Sequence, residues 1–411
     1  MTRFDRSLLL ALPLISLAGE VIRSFTTATA VLAGRNILCL MLTGYLVLRY
    51  LHQVLKFSWS LAVLAIYTII LLVVQEAPID AYTEWAMIFE SRFLFPLAFI
   101  LLADHRSFIR LNKVILRIGI LFFFFLTLFL IVGIGENQYG GEGGFTVGAF
   151  KFGRIYTGSF VLLTLPVIWS QIHSRRIPYI IPILALGILI ILMISTRRSA
   201  LVIVFIGLVF QLWFHRHQIG KILRWTFAAM LAVAACFPLY KDVLFKQLEL
   251  RSHVFVEQQG LDIESETRYE ESIAVWRERI ETSRPGLFIF GDHLFNSAGH
   301  YDNGIHGDRP LHLDLTVMLH GSGLLGLLLY LVFYFELFFR YLRTSTGIRS
   351  PEIHAAFLGY FASLVFLLFS GGMTSVTFNM MAALYIGSIL GQAARRTENK
   401  IPARGFVVHH N

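Results

Sequence analysis

The amino-acid sequence predicts an all-α polytopic membrane protein of about 12 transmembrane helices, with one large outward-facing loop containing short helices. Three observations predict it. The chain of 411 residues is 56% hydrophobic and only 15% charged, against about 25% charged in an average soluble domain, and its mean hydropathy is +0.67. Continuous apolar runs such as Ile118–Gly133 and Pro178–Ile194 approach the roughly 20 residues that cross a bilayer as a helix. They do not alternate, which excludes a membrane barrel. Basic residues recur in every second loop, as in a chain threaded back and forth.

The first element carries Arg3 and Arg6 before an apolar run, like a signal peptide. It has no clear small-residue cleavage site and many spans follow, so it reads as a retained first helix. Spans are expected near residues 7–23, 30–50, 58–74, 85–103, 114–134, 155–172, 178–195, 199–214, 222–240, 312–339, 354–371 and 376–392. One set of loops then holds Arg49 and Lys56; Arg106, Arg110, Lys113 and Arg117; Arg175 and Arg176; Arg216, Lys221 and Arg224; Arg340, Arg343 and Arg349; and a tail with Arg395, Arg396 and Lys400. The positive-inside rule makes these loops and both termini cytoplasmic. The net charge of +9 would suggest nucleic acid in a soluble protein. Here topology accounts for it, and no nucleic-acid partner is expected. Cys39 and Cys236 both lie in apolar spans, where packing explains them better than a disulfide or a metal pair. No metal site is expected.

The opposite loops face outward. Residues 75–84 hold Glu76, Asp80 and Glu84, and residues 135–154 are glycine-rich. The connection Ser195–Ser199 is very short. Residues 241–311 form the large soluble segment, so the chain divides into spans 1–9 (residues 1–240), the loop (241–311), spans 10–12 (312–392) and a tail (393–411). Within the loop, Glu264–Glu281 reads as an amphipathic helix with Ile273, Trp276 and Ile280 on one face. The apolar patch after Pro285–Gly286 follows it.

Four groups of residues could carry chemistry. Arg197 and Arg198 sit outside, against the topology rule, at the N-terminus of the eighth span, where free N–H groups add positive potential. Two guanidiniums there make a phosphate clamp; the plainer reading is snorkelling to head groups. Arg268 is in isolation an ordinary helix-surface residue beside Glu264 and Glu271. The stretch Gly304–Gly326 carries His306, Arg309, His312, Asp314 and His320 into a span. A neutral histidine there could take a proton from a hydroxyl, although a lone boundary histidine is more often structural. Arg35, Glu90, Arg92 and Arg154 are charges at or near membrane depth. Glu90 and Arg92 fit a bundle ion pair, and Arg154, with Lys151, could add to an anion site.

These residues resemble, over most of the chain, the bacterial O-antigen ligase/polymerase superfamily of membrane glycosyltransferases. Thr196–Arg197–Arg198–Ser199–Ala200 is similar to its S/T-R-x-A outer turn. Arg268, Trp276, Pro285 and Gly291 match an outer-loop helix and the glycine-rich strip after it. His312, Gly323 and Gly326 match the register of H-N-x-x-L-x-x-x-x-E-x-G-x-x-G. The family's Asn is Leu313 here and its Glu is Gly321, which leaves His320 as a second candidate base. The resemblance implies transfer of a glycan from an undecaprenyl diphosphate carrier at the periplasmic face of the bacterial inner membrane, without metal, cofactor or nucleotide sugar. The acceptor would be the lipid A core in a ligase, or another lipid-linked glycan in a repeat-unit polymerase. A diphosphate leaving group calls for fixed cations: Arg197, Arg198 and Arg268, with Arg309 and Arg154 as further substrate-binding candidates. His312 or His320 would activate the acceptor hydroxyl, and direct displacement would invert the anomeric centre. The competing class is a flippase or transporter, which predicts internal repeats and mid-membrane ionisable residues; no repeat is visible.

Overall fold

A computed structural model of the chain describes residues 2–25, 29–132, 155–171, 177–194, 198–235, 267–281, 285–301, 310–348, 350–373 and 375–398, with a few isolated residues at 136–137, 145–146 and 237–245. The regular structure among the described residues is helical apart from one two-residue antiparallel pair, Glu136–Asn137 with Phe145–Thr146. Each expected span coincides with a helix: α1 (Arg3–Phe25), α2 (Thr29–Arg49), α4 (Trp59–Val74), α5 (Ile79–Leu101), α6 (His105–Val132), α7 (Ile155–Gln171), α8 (Ile177–Ile194), α9 (Arg198–Phe214), α10 (Ile219–Ala235), α13 (Asp314–Thr344), α14 (Pro351–Ser370) and α15 (Val376–Glu398). Three further α-helices complete the described part, of which Thr267–Glu281 answers the amphipathic helix expected over Glu264–Glu281. Leu51–Phe57 (α3) turns from the end of α2 by 88°. Thr267–Glu281 (α11) and Pro285–Phe290 (α12) lie in the large loop.

Among the described residues, three helices are long and apolar enough to cross a membrane unaided, within Asp314–Gly347, Pro351–Ser370 and Val376–Thr397; the bent pair Ala33–Arg49 with Leu51–Phe57 is a fourth when counted as one span. The outside of the bundle is apolar, with Leu48, Val74, Phe205 and Trp213 all more than two-thirds or close to two-thirds exposed. The inside holds buried Arg35, Glu90, Arg92, Asp314 and His320. Such a distribution suits a lipid surroundings better than water. The Val376–Thr397 span is buried along its whole apolar window and forms the central pillar. Its backbone rests directly on α5, because a Cβ at Gly387 or Gly391 would lie 2.3 or 2.4 Å from the carbonyl oxygens of Phe95 and Phe99.

The described basic loops meet at one end of the bundle, Arg175, Arg176, Arg349 and Lys400 lying outside the described residues. Arg6 pairs with Asp104 and Arg49 with Asp5, each at 3.0 Å, Arg340 donates to the Phe57 carbonyl at 2.5 Å, and His215 lies 3.3 Å from Glu352. These contacts join the starts of α1 and α14 to the ends of α2, α3, α5, α9 and α13. The loop after α4, the segment 291–301, the start of α13 and the α14–α15 turn gather at the opposite end. Glu90 and Arg92, two positions apart on a helix, point to different faces, and Arg92 donates to Tyr330 Oη at 3.1 Å.

Candidate functional site

The site is built where α13 begins. The turn after α14 needs a left-handed glycine, Gly371 at φ 80°, and a Cβ there would stand 2.2 Å from the His312 carbonyl oxygen. The next two amides, Gly372 N and Met373 N, donate to Asp314 Oδ1 at 2.9 and 3.0 Å. Asn379 Nδ2 holds the carbonyls of the same two residues at 2.8 and 3.1 Å. The chain is therefore clamped on both sides of His312 before the helix starts.

α11 runs alongside the first turns of α13, in the same direction. His312 Nδ1 lies 3.3 Å from Glu271 Oε2, Ser272 Oγ 3.1 Å from Thr316 Oγ1, and Arg279 Nη2 donates to the His320 carbonyl at 3.1 Å. Glu271 is 1% exposed and His312 35%. A buried carboxylate beside Nδ1 fixes the tautomer with the proton on Nδ1 and leaves the Nε2 lone pair for another proton. Sequence reasoning missed Glu271, treating it only as a helix-surface partner of Arg268. The expected apolar face of this helix is also corrected. Ile273, Trp276 and Ile280 are 38%, 43% and 61% exposed, while Glu271, Val275 and Arg279 are buried. The neighbour explains the reversal: α13 offers a histidine and a freed carbonyl, which polar side chains satisfy and apolar ones cannot.

That carbonyl is freed by a break in α13. Gly323 has φ 63° and ψ −169°, so the carbonyls of the preceding turn lose their helical donors. Each is taken up elsewhere. His320 O accepts from Arg279 and from Asp292 N at 2.9 Å, Gly321 O from Gln75 Nε2 at 3.1 Å, and Ser322 O from Tyr67 Oη at 2.8 Å. Gln75 Oε1 in turn accepts from Leu294 N at 2.8 Å. Irregular backbone at membrane depth requires such replacement partners. Gly291, at φ 69°, lies so close that a Cβ on it would meet Gly323 N at 2.4 Å. The matched glycines of the sequence motif thus form a backbone-to-backbone joint.

The two candidate bases are in different situations. His312 is partly open and backed by Glu271. His320 is 1% exposed, its Nε2 lies 3.2 Å from the His300 carbonyl, and Tyr301 packs edge-on against it at 6.3 Å. Arg198 is the first residue of α9 and is exposed. Since α9 ends beside Glu352 at the basic end, Arg198 shares the opposite end with His312. Arg268 lies in the first turn of α11, three positions before Glu271. Arg154, Arg197, Arg309 and His306 lie outside the described residues. Among the described residues no group of His, Cys, Asp or Glu is arranged to hold a metal ion.

No protein-family model matches the chain, and no curated protein sequence matches it. Among solved structures, one chain of a peptidoglycan synthase complex, solved for the structural coordination of polymerization and crosslinking, is similar over 82% of this chain and 98% of its own, with a TM-score of 0.39 and 16% identity.

Proposed function

We propose that the protein is a membrane glycosyltransferase of the O-antigen ligase/polymerase type, acting as the ligase that moves a glycan from an undecaprenyl diphosphate carrier to the lipid A core. The single observation carrying this reading is the His312–Glu271 pair, a half-open imidazole backed by a buried carboxylate at 3.3 Å, at the end of the bundle where α9 begins with Arg198. In the proposed reaction the acceptor hydroxyl oxygen bonds to the anomeric carbon and its proton passes to His312 Nε2. The bond from that carbon to the diphosphate oxygen breaks, and the diphosphate leaves with the electron pair. Arg198, Arg197 and Arg268 stabilise the charge that grows on it, with Arg309 and Arg154 as further substrate-binding candidates. Attack opposite the leaving group inverts the anomeric centre. No metal, cofactor or nucleotide sugar enters this scheme. The protein lies in the inner membrane with both termini cytoplasmic, 12 helices crossing, and the loop and site periplasmic.

His312→Ala is expected to abolish glycan transfer while the protein remains inserted and expressed. Activity that survives His312→Ala but not His320→Ala would overturn the choice of base. In a deletion strain, loss of polymer from lipid A with lipid-linked polymer retained identifies a ligase. A core carrying a single repeat unit identifies the polymerase of the same type, and failure to expose lipid-linked glycan at the periplasmic face identifies a flippase.

A further inference from the structure

The opposite, basic end of the bundle carries a second site that the transfer chemistry does not use. A groove of about 360 Å³ lies between α3, α5, α13 and α15. Three helices each bring one cation to it: Lys56 from the last turn of α3, Arg340 from α13 and Arg395 from α15. Phe57 and Phe99 form its apolar wall, with Gly391 and Ala394 of α15 beside them. The Arg340 guanidinium lies over both rings, 4.4 Å from the Phe57 centroid and 5.4 Å from that of Phe99, which orients it within the groove. Its Nη2 is used by the Phe57 carbonyl, while its Nε is buried with no hydrogen-bond partner among the described residues.

Among the described residues, no carboxylate lines this groove. Glu336, one turn before Arg340, accepts from Ser58 and Ser60 at 2.6 and 2.9 Å. Asp104, within electrostatic reach of Arg395, is paired with Arg6 at 3.0 Å. The two carboxylates within electrostatic reach, Glu336 of Arg340 and Asp104 of Arg395, leave the three cations around this cavity in excess, because Asp104 is shared with Arg6, and the excess calls for an anion. The neighbouring residues say which kind. Leu55, Trp59, Phe339 and Leu342, close in sequence to Lys56 and Arg340, are all between 43% and 59% exposed, so the helices that bring these cations also present apolar surface, with a tryptophan of the kind found at membrane interfaces. A phosphate with acyl chains attached suits both the cations and this surface, whereas a free phosphate uses only the cations.

We propose that this groove binds the phosphate of an anionic membrane lipid. The inference rests on the membrane reading of the helices and is independent of the glycan transfer. Native mass spectrometry and thermal unfolding of the detergent-purified full chain test it with phosphatidylglycerol, phosphatidylcholine and inorganic phosphate as separate probes. Phosphatidylglycerol is expected to bind and raise the unfolding midpoint, more strongly at low salt, with phosphatidylcholine and inorganic phosphate doing neither. Each exposed cation removed should weaken binding about five-fold, hence roughly twenty-five-fold for Lys56→Gln with Arg395→Gln. Arg110→Gln, outside the groove, should bind as the parent does. Equal binding of phosphatidylcholine, or parent-like binding by the double variant, overturns the proposal. Inorganic phosphate binding as strongly as the lipid overturns the lipid source.

Discussion

A buried carboxylate does its work here by what it does to one neighbour. Glu271 costs free energy to bury unless an interaction compensates, and His312 at 3.3 Å supplies one when it carries the proton on Nδ1 or on both nitrogens. In the proposed transfer the same contact would prepare Nε2 and then stabilise the imidazolium that proton transfer creates. Glu271→Gln should therefore leave substrate KM nearly unchanged and lower kcat by about a hundredfold, in assays of lipid-linked glycan transfer in proteoliposomes. Combined with His312→Ala it should cost nothing further, because the two act as one unit; an additive loss would separate them. At Gly323 a single methyl group is decisive for a different reason. Its φ of 63° disfavours any side chain, and a Cβ would stand 2.3 Å from the Ile289 carbonyl oxygen. Gly323→Ala should destabilise the fold by at least about 2 kcal/mol, read as a lower unfolding midpoint in detergent. Gly286, in a short helix with nothing within 4 Å of its would-be Cβ, should tolerate alanine or gain up to about 1 kcal/mol.

At the scale of elements, the segment 291–301 works as a strap across the broken α13, and it carries its own pH dependence. His293 stacks on His300 at 3.8 Å and lies 3.4 Å from Asp292. Partial burial holds its imidazole below the usual value of 6.5; Asp292 opposes that shift, and His300 and Arg279 add to it. The folded strap then binds fewer protons than the unfolded chain. Its stability is intact above about 6.5 and falls as pH drops through the lower folded value. Amide exchange of residues 291–301 should accelerate on acidification in that window, and His293→Gln should flatten the profile. This strap also marks where sequence reading stops. The helices themselves were legible, since each apolar run between charged loops has a single economical solution. The break at Gly323 was not, because a glycine in an apolar run reads equally as helix packing. Nor was the inward face of α11, because Ile273, Trp276 and Ile280 have the spacing of a buried stripe. Only α13, with its orphaned carbonyls and His312, reverses that preference. Glu271 was hidden for the same reason: a glutamate amid Glu264, Glu266 and Glu270 carries no sign in sequence of being the buried one.

At the scale of the molecule the governing feature is sidedness. Alternation of basic loops predicted that residues far apart in sequence share one membrane face, and the described contacts agree in geometry. Arg6 meets Asp104, Arg49 meets Asp5, and Arg340 meets the end of α3, while His312, Gln75 and Gly371 gather at the far end. A bundle whose ends are fixed in this way has two possible orientations in a membrane. The positive-inside rule selects the one with the arginine-rich end in the cytoplasm. A membrane-impermeant maleimide applied to intact cells tests that choice directly. Cys39 is buried and gives little background once Cys236 is replaced by serine. Asp292→Cys, on a side chain 40% exposed at the histidine end, should label from outside. Arg395→Cys and Arg216→Cys, at the basic end, should label only after the cells are opened. The reverse pattern would put His312 in the cytoplasm, away from any periplasmic acceptor, and the proposed transfer would fail with it. The lipid groove would then face the outer leaflet, and its phosphatidylglycerol binding in detergent would be unaffected, so the two proposals stand or fall separately.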